Sequence, residues 1–264
     1  MRNIAVNAPT QSAILIQTNS HAEAISAAEY VRQRLAPRRS DVNYVHLKDL
    51  ADFLRSAAPA IQGEVLDYGC GGAPYRSLFA HCRRYVGADI EPNPAVDCVL
   101  KPDGTTGQPD ASFDAVLSTQ VLEHIQDPDA YLREARRILR PGGQLLLTTH
   151  GMFEEHGCPH DYLRWTIRGL EDLVSKNGFR INSSHKLSTE LRGFVQLYNQ
   201  MALHWRCPDR PLLHYPLAML RKTHGLVGVL LLNWFADRFP RQAVVPGSDS
   251  ASLYVCVAIR AVKS

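Results

Sequence analysis

Between Glu64 and His150 the chain repeats one phrase. A short apolar run ends in an acid, a glycine or a polar residue, and a stretch of helical spacing follows. The runs are EVLDYG, RRYVGADI, SFDAVLST and GGQLLLTTH; the helical stretches cover about 73–82, 120–125 and 128–139. Strands separated by helices do not pair as hairpins, so this alternation predicts a parallel sheet with helices on both faces. TIRGLEDLVSKNG then reads as a helix closed by Gly178, and FRINSSHKL and SLYVCVAIRAV as two further strands. Upstream, HAEAISAAEYVRQRLA and VHLKDLADFLRSA are two expected helices, preceded by about twenty mostly polar residues expected to be poorly ordered.

A chain of 264 residues suits one large domain with an insertion. The net charge of +3 is too small to point to nucleic acid. Cys70, Cys82, Cys98, Cys158, Cys207 and Cys256 are scattered without a CxxC pair, which predicts reduced thiols and a cytoplasmic protein. No secretory signal is evident, and the apolar run GLVGVLLLNWFA is too short to span a bilayer.

The most informative turn lies in VLDYGCGGAPYRSLF. The strand ends at Asp67, and Gly69 and Gly71 let the backbone turn tightly and approach a ligand, with the amides of the following helix aimed at it. A dinucleotide fingerprint, GxGxxG, would need a third glycine where this chain has Pro74. YVGADI ends the next strand in Asp89, about twenty residues on, where a carboxylate can accept bonds from two ribose hydroxyls.

VLDYGCGGAPY, YVGADI, DASFDAVLSTQVLEHIQDP, EARRILRPGGQLLLTT and HDYLRWTIRGLEDLVSKNGF follow one another in an order that resembles class I S-adenosylmethionine-dependent methyltransferases, especially the methyltransferase type 11 group. The resemblance covers about 44–187 plus the last strand. It implies a Rossmann-like α/β sheet of seven strands, the last antiparallel, and S-adenosyl-L-methionine as cofactor. It also implies a methyl acceptor that is a small molecule, a glycan or lipid-linked, methylated at oxygen, with no nucleic acid partner. Asp67, Gly69 and Gly71 would then surround the methionine part of the cofactor, Asp89 the ribose, Ile90 and Asp103 the adenine, and Ser118, Thr119 and Gln120 the transferred methyl. On this reading residues 1–43 form an N-terminal extension and helix, and 44–264 the methyltransferase domain. The alternative is a non-catalytic relative that binds or scaffolds through the same site.

Two stretches raise the question of metal. QVLEHI resembles the ExxEH of ubiquinone-pathway relatives, whose acids and histidine can hold a divalent ion. Gln120 here replaces the first acid, so Glu123 and His124 are expected to serve locally. In EEHGCPHDYLRWT, His156, Cys158 and His160 alternate without the paired spacing of a zinc site, so no metal is expected. The loop follows the fifth strand, which places it on the acceptor side. His156 and His160 are the candidate catalytic bases, because imidazole titrates near neutral pH. Asp161 and Arg164 are expected to pair and brace the loop, with Thr166 capping the next helix.

The segment of about 190–248 is an apolar helical insertion before the last strand. Arg221, Lys222, His224, Arg238 and Arg241 flank its apolar stretch. A lid, a dimer interface and a peripheral membrane contact through 212–239 all fit that pattern.

Overall fold

A computed structural model describes residues 13–14, 25–157, 160–204, 211–239, 242–244 and 251–264. The expectation for the first twenty residues falls outside these, apart from Ala13–Ile14, which pairs with Ile25–Ser26. The main sheet has strands β1 Glu64–Tyr68, β2 Arg84–Asp89, β3 Cys98–Val99, β4 Phe113–Thr119, β5 Leu139–His150, β6 Phe179–Thr189, β7 Gln242–Val244 and β8 Tyr254–Lys263. Their order is β3-β2-β1-β4-β5-β8-β6-β7. β1 to β5 are parallel, and β8 runs antiparallel between β5 and β6. The seven expected strands are therefore present in the expected sense. β7, a short strand that the sequence does not announce, adds an eighth at the edge, antiparallel to β6.

Alternate residues of each strand enter different cores, as a pleat buried on both faces requires. Leu66, Val116, Leu145, Leu147, Val257 and Ile259 pack on one face, under α3 Pro128–Ile138 and α4 Ile167–Lys176. Val65, Leu117, Leu146 and Ala258 pack on the other, under Leu50, Phe53 and Leu54 of α2 Tyr44–Ala57. The helices begin where the sequence supplies caps. The Asp127 carboxylate accepts from the Ala130 amide at 2.9 Å ahead of Pro128, and the Thr166 hydroxyl accepts from the Gly169 amide at 3.2 Å.

Three expected helices are changed; the stretch of about 120–125 is reduced to a 3-10 turn, Leu122–His124. The stretch 73–82 contracts to a 3-10 turn, Arg76–Phe79. Ala73 takes a φ of 45°, a left-handed backbone that a regular helix does not contain, so no helix runs on from the glycine turn. The long apolar stretch divides into α6 Pro211–Thr223, a π-helical turn His224–Gly228 and α7 Val229–Ala236. Gly228 admits that turn, because a Cβ there would lie 2.4 Å from His224 Nδ1.

The insertion is anchored by a buried ion pair. Arg192, on α5 Glu190–His204, and Asp49 of α2 are both fully buried. The guanidinium meets both carboxylate oxygens, with Nε 3.0 Å from Oδ2, while Ser188 Oγ donates to Oδ2 at 2.9 Å. Arg192 Nη1 also donates to the Ala236 carbonyl at 2.7 Å, at the end of α7. One charge pair thus fastens α2, α5, α7 and the end of β6. Asp49→Ala removes the two-oxygen partner of buried Arg192 and leaves it, among the described residues, only Asp237, 3.6 Å from Nη1, as a counter-ion, and is expected to cost about 3–5 kcal/mol. Urea unfolding checks this; a loss below about 1 kcal/mol contradicts it.

Candidate active site

β1, β2, β4 and β5 end at Tyr68, Asp89, Thr119 and His150 along one edge of the sheet, where open α/β sheets bind ligands. The glycine turn lies at the first two. The Gly69 and Cys70 amides donate to the Ala88 carbonyl at 2.8 and 3.0 Å, which ties the turn to β2. Gly69 has φ +84°, and a Cβ on it would come within 2.6 Å of Val121 Cγ2, so only glycine fits. Gly71, at φ +52°, donates its amide to Asp89 Oδ2 at 2.7 Å. Asp89 Oδ1 accepts from the Ile90 amide at 2.7 Å, and the Ile90 side chain is 53% exposed beside it.

Asp67 is buried below this turn. The Tyr85 hydroxyl donates to Oδ2, while Oδ1 has no partner among the described residues. Burial pushes the carboxyl up to about 7, even with the Tyr85 bond opposing. Asp103 is exposed, and its Oδ1 accepts from the Thr105 amide and hydroxyl at 3.0 and 2.7 Å. Ser118 is fully buried, with its hydroxyl accepting from Tyr131 at 2.8 Å. Gln120 holds a φ of 56°, a left-handed backbone without a glycine, immediately after β4. Its amide nitrogen donates to Thr148 Oγ1 at 3.1 Å, and its Oε1 is buried without a partner.

The other half of the edge is a cluster of imidazoles around Glu123. His46 comes from α2, His150 from the end of β5, and His156 from the loop after it; ring centroids lie 5.2 Å apart for His46–His150 and 5.1 Å for His150–His156. Phe153 stacks on His150 at 4.0 Å. Glu123 is fully buried; its Oε2 accepts from Thr149 Oγ1 at 2.8 Å, and its Oε1 lies 3.3 Å from His150 Nε2. Burial lifts Glu123 to about 7, lowers His46 to about 3, and holds His150 well below the ordinary imidazole value. His156 is lowered too, chiefly by burial, against the opposing pull of Asp161.

The two candidate bases therefore part company. His156 joins the cluster, with Nδ1 3.2 Å from Asp161 Oδ2. His160 is exposed, and its backbone carbonyl accepts from His124 Nδ1 at 2.6 Å. Cys158 lies outside the described residues. Asp161 and Arg164 pair through both guanidinium nitrogens, and Arg164 also donates to the Phe153 and Glu154 carbonyls at 3.2 and 2.7 Å. The pair braces the loop that carries His156. Sequence reasoning missed His46 and His150. The signal for His150 was its place at the carboxyl end of a parallel strand; His46, in the first turn of α2 and about a hundred residues away, gave none.

Comparison with known proteins adds to this geometry. A family model described as a methyltransferase domain matches residues 66–147. A protein of Mycolicibacterium smegmatis named "Probable S-adenosylmethionine-dependent methyltransferase/" is 31% identical over 134 residues, 47% of this chain and 52% of that one. The match thus spans about half that relative's length. A ubiquinone biosynthesis O-methyltransferase of Cereibacter sphaeroides is 31% identical over 217 residues, covering 69% of this chain and 84% of the relative. Among solved structures, an S-adenosylmethionine-dependent methyltransferase of Thermotoga maritima superposes with a TM-score of 0.52 at 15% identity, covering 89% of this chain and 99% of that one.

The raised Asp67 carboxyl gives a pH test. Its folded value of about 7 exceeds that of an unfolded aspartate near 3.9, so its stability contribution is present below about pH 4 and is lost as pH rises through about 7. Asp67→Asn is expected to melt higher relative to the parent at pH 8 than at pH 5, without added ligand. An equal offset at both pH values contradicts the assignment.

Proposed function

Since the chain belongs to the S-adenosylmethionine-dependent methyltransferases, we propose that it methylates an oxygen of a small-molecule or lipid-linked acceptor. When bound, S-adenosylmethionine supplies a methyl group activated by the sulfonium sulfur. The residues of the edge fit that cofactor. The orphaned Asp67 Oδ1 is a buried acceptor in want of a donor, the glycine turn offers backbone without side chains, and Ile90 is an exposed apolar surface beside Asp89. Ser118 is fully buried and Asp103 is turned to Thr105 on an exposed loop, so the proposed contacts centre on the glycine turn and its neighbours Asp67, Gly69, Gly71, Asp89, Ile90 and Gln120. Asp89 would orient the ribose while holding the Gly71 amide.

The observation that carries the acceptor reading is the buried imidazole–carboxylate cluster at the carboxyl ends of β4 and β5. A hydroxyl must give up its proton to become a good nucleophile, whereas a neutral amine need not. His156, with 28% of its side chain exposed, is the cluster's outward member and the proposed contact for that hydroxyl. The ubiquinone-pathway relative, an O-methyltransferase by name, supports oxygen as the acceptor atom.

The exposed side of α6 and α7 supports a lipid-linked acceptor. Leu212 is 91% exposed, Tyr215 76%, Met219 73% and Leu226 70%, with Arg221, Lys222 and Arg238 beside them. Apolar side chains with flanking cations match a helix lying on an anionic membrane surface. No helix among the described residues is long and apolar enough to cross a membrane.

Calorimetry is expected to show S-adenosylhomocysteine binding, weakened roughly tenfold or more by Asp89→Ala, about 1.4 kcal/mol. Labelled methyl from S-adenosylmethionine is expected to reach phenols or diols in an acceptor panel and to fall with His156→Asn at unchanged S-adenosylhomocysteine affinity. Transfer only to amines rules out the oxygen reading, and binding without transfer to any acceptor points to a non-catalytic relative. Anionic vesicles at low salt are expected to sediment the protein, and charged substitutions at Leu212 and Met219 to release it. Self-association without vesicle binding would assign the surface to a second copy instead.

A further inference from the structure

The imidazole cluster contains more than a proton acceptor needs. Glu123, His150 and His156 each offer one ligand atom, and the three atoms lie within 4.8 Å of one another. Two of them are already at the spacing of a coordination edge. Glu123 Oε1 and His150 Nε2 stand 3.3 Å apart, and tetrahedral ligands at about 2.1 Å from an ion stand about 3.4 Å from each other. That pair is not a satisfied hydrogen bond, because Glu123 Oε1 is fully buried and has no hydrogen-bond partner among the described residues. A buried carboxylate oxygen left open beside an imidazole nitrogen is a site in want of a cation or a proton.

Glu123 and His156 are oriented by polar contacts of the kind that outer partners of metal ligands make, while His150 is held by ring stacking and its Nδ1 has no hydrogen-bond partner among the described residues. Thr149 Oγ1 takes the other Glu123 oxygen at 2.8 Å and so turns Oε1 toward the histidines. Phe153 stacks on the His150 ring within 9° of parallel and fixes its plane. His156 Nδ1 faces the Glu154 carbonyl at 3.3 Å and Asp161 Oδ2 at 3.2 Å, which leaves Nε2 as the free donor, and Arg164 locks Asp161 in turn. Carboxylate–imidazole contacts of this kind set the tautomer of a ligating histidine. His156 comes from the loop, so closing the remaining gap asks for movement of one partly exposed side chain.

We propose that Glu123, His150 and His156 form a binding site for a divalent first-row transition-metal ion, with a coordination position left open toward the acceptor. The donor set decides the class of ion. Two imidazoles and one carboxylate suit zinc, cobalt or iron(II) in an open site, whereas magnesium and calcium prefer all-oxygen shells. The set is not the one that the sequence singled out. It needs neither an acid at Gln120 nor a thiol at Cys158, because strand β5 and its loop supply the histidines. The inference rests on the proposed function only for what the open position faces: an oxygen of the acceptor.

The test uses the full chain without an affinity tag, stripped with a chelator and dialysed. Titration with zinc is expected to show one saturable site, and cobalt(II) to develop visible absorption bands of a low-coordinate nitrogen–oxygen site. Glu123→Gln and His156→Asn should each weaken zinc at least tenfold, with circular dichroism confirming the fold; His81→Asn, an exposed histidine whose ring meets the Ile61 carbonyl away from this loop, should leave it unchanged. Absence of saturable zinc binding, or equal affinity in the parent, Glu123→Gln and His156→Asn, overturns the site and assigns the Glu123–His150 gap to a shared proton. S-adenosylhomocysteine titrated into the same samples separates the two readings: its binding without zinc binding removes the ion site and leaves the methyltransferase reading in place.

Discussion

The sheet is covered on both faces, and this burial decides where everything else can happen. A strand whose alternate side chains enter two cores, as Leu66 and Val65 do, has no surface left for chemistry along its length. Only the strand ends remain, and the parallel sense of β1, β2, β4 and β5 brings four ends to one edge. The strand-end acids, the glycine turn and the imidazole cluster share that edge because the four carboxyl ends and the loops that follow them converge there.

The edge divides into two halves that are built differently. The half at β1 and β2 is held by backbone: amides of the turn bond to Ala88 and Asp89, and its shape follows from glycine conformations. The half at β4 and β5 is held by side chains drawn from remote segments. His46 reaches it on α2, which is held by its apolar face and by the Asp49–Arg192 pair, and His156 on a loop that Arg164 ties to Asp161 and to two carbonyls. Gln120, with its left-handed backbone, joins the halves. The next residue, Val121, packs against Gly69, and the Gln120 amide nitrogen bonds to Thr148 and Cys256. A strained residue at such a junction is tolerated where its surroundings over-determine it.

This division explains what the sequence could and could not disclose. Asp67, Gly69, Gly71 and Asp89 were legible because a turn and its two flanking strands are local, and each residue type has a conformational or hydrogen-bonding reason to be there. The loop brace was legible for the same reason, since Asp161 and Arg164 are neighbours in the chain. The imidazole cluster was not, because His46 and His150 are about a hundred residues apart and meet only through tertiary packing. Gln120 was read by its side chain, while its backbone is the unusual part. The 3-10 turn at Arg76–Phe79 was missed for a different reason. The left-handed backbone at Ala73 interrupts the stretch, and alanine, a good helix former, gives no sign of it.

The placement of β8 also governs how the molecule can be made. It lies between β5 and β6, and those two strands exchange no hydrogen bonds with each other. During synthesis β5 is finished at His150 and β6 at Thr189, yet the strand that joins them begins only at Tyr254. At roughly 5–20 residues per second, a ribosome takes several seconds to cross that interval. Throughout it the nascent chain carries two unpaired strand edges and the apolar helices of the insertion. Early helix packing, with Arg192 already able to meet Asp49, is then what shields the growing chain until its sheet can close.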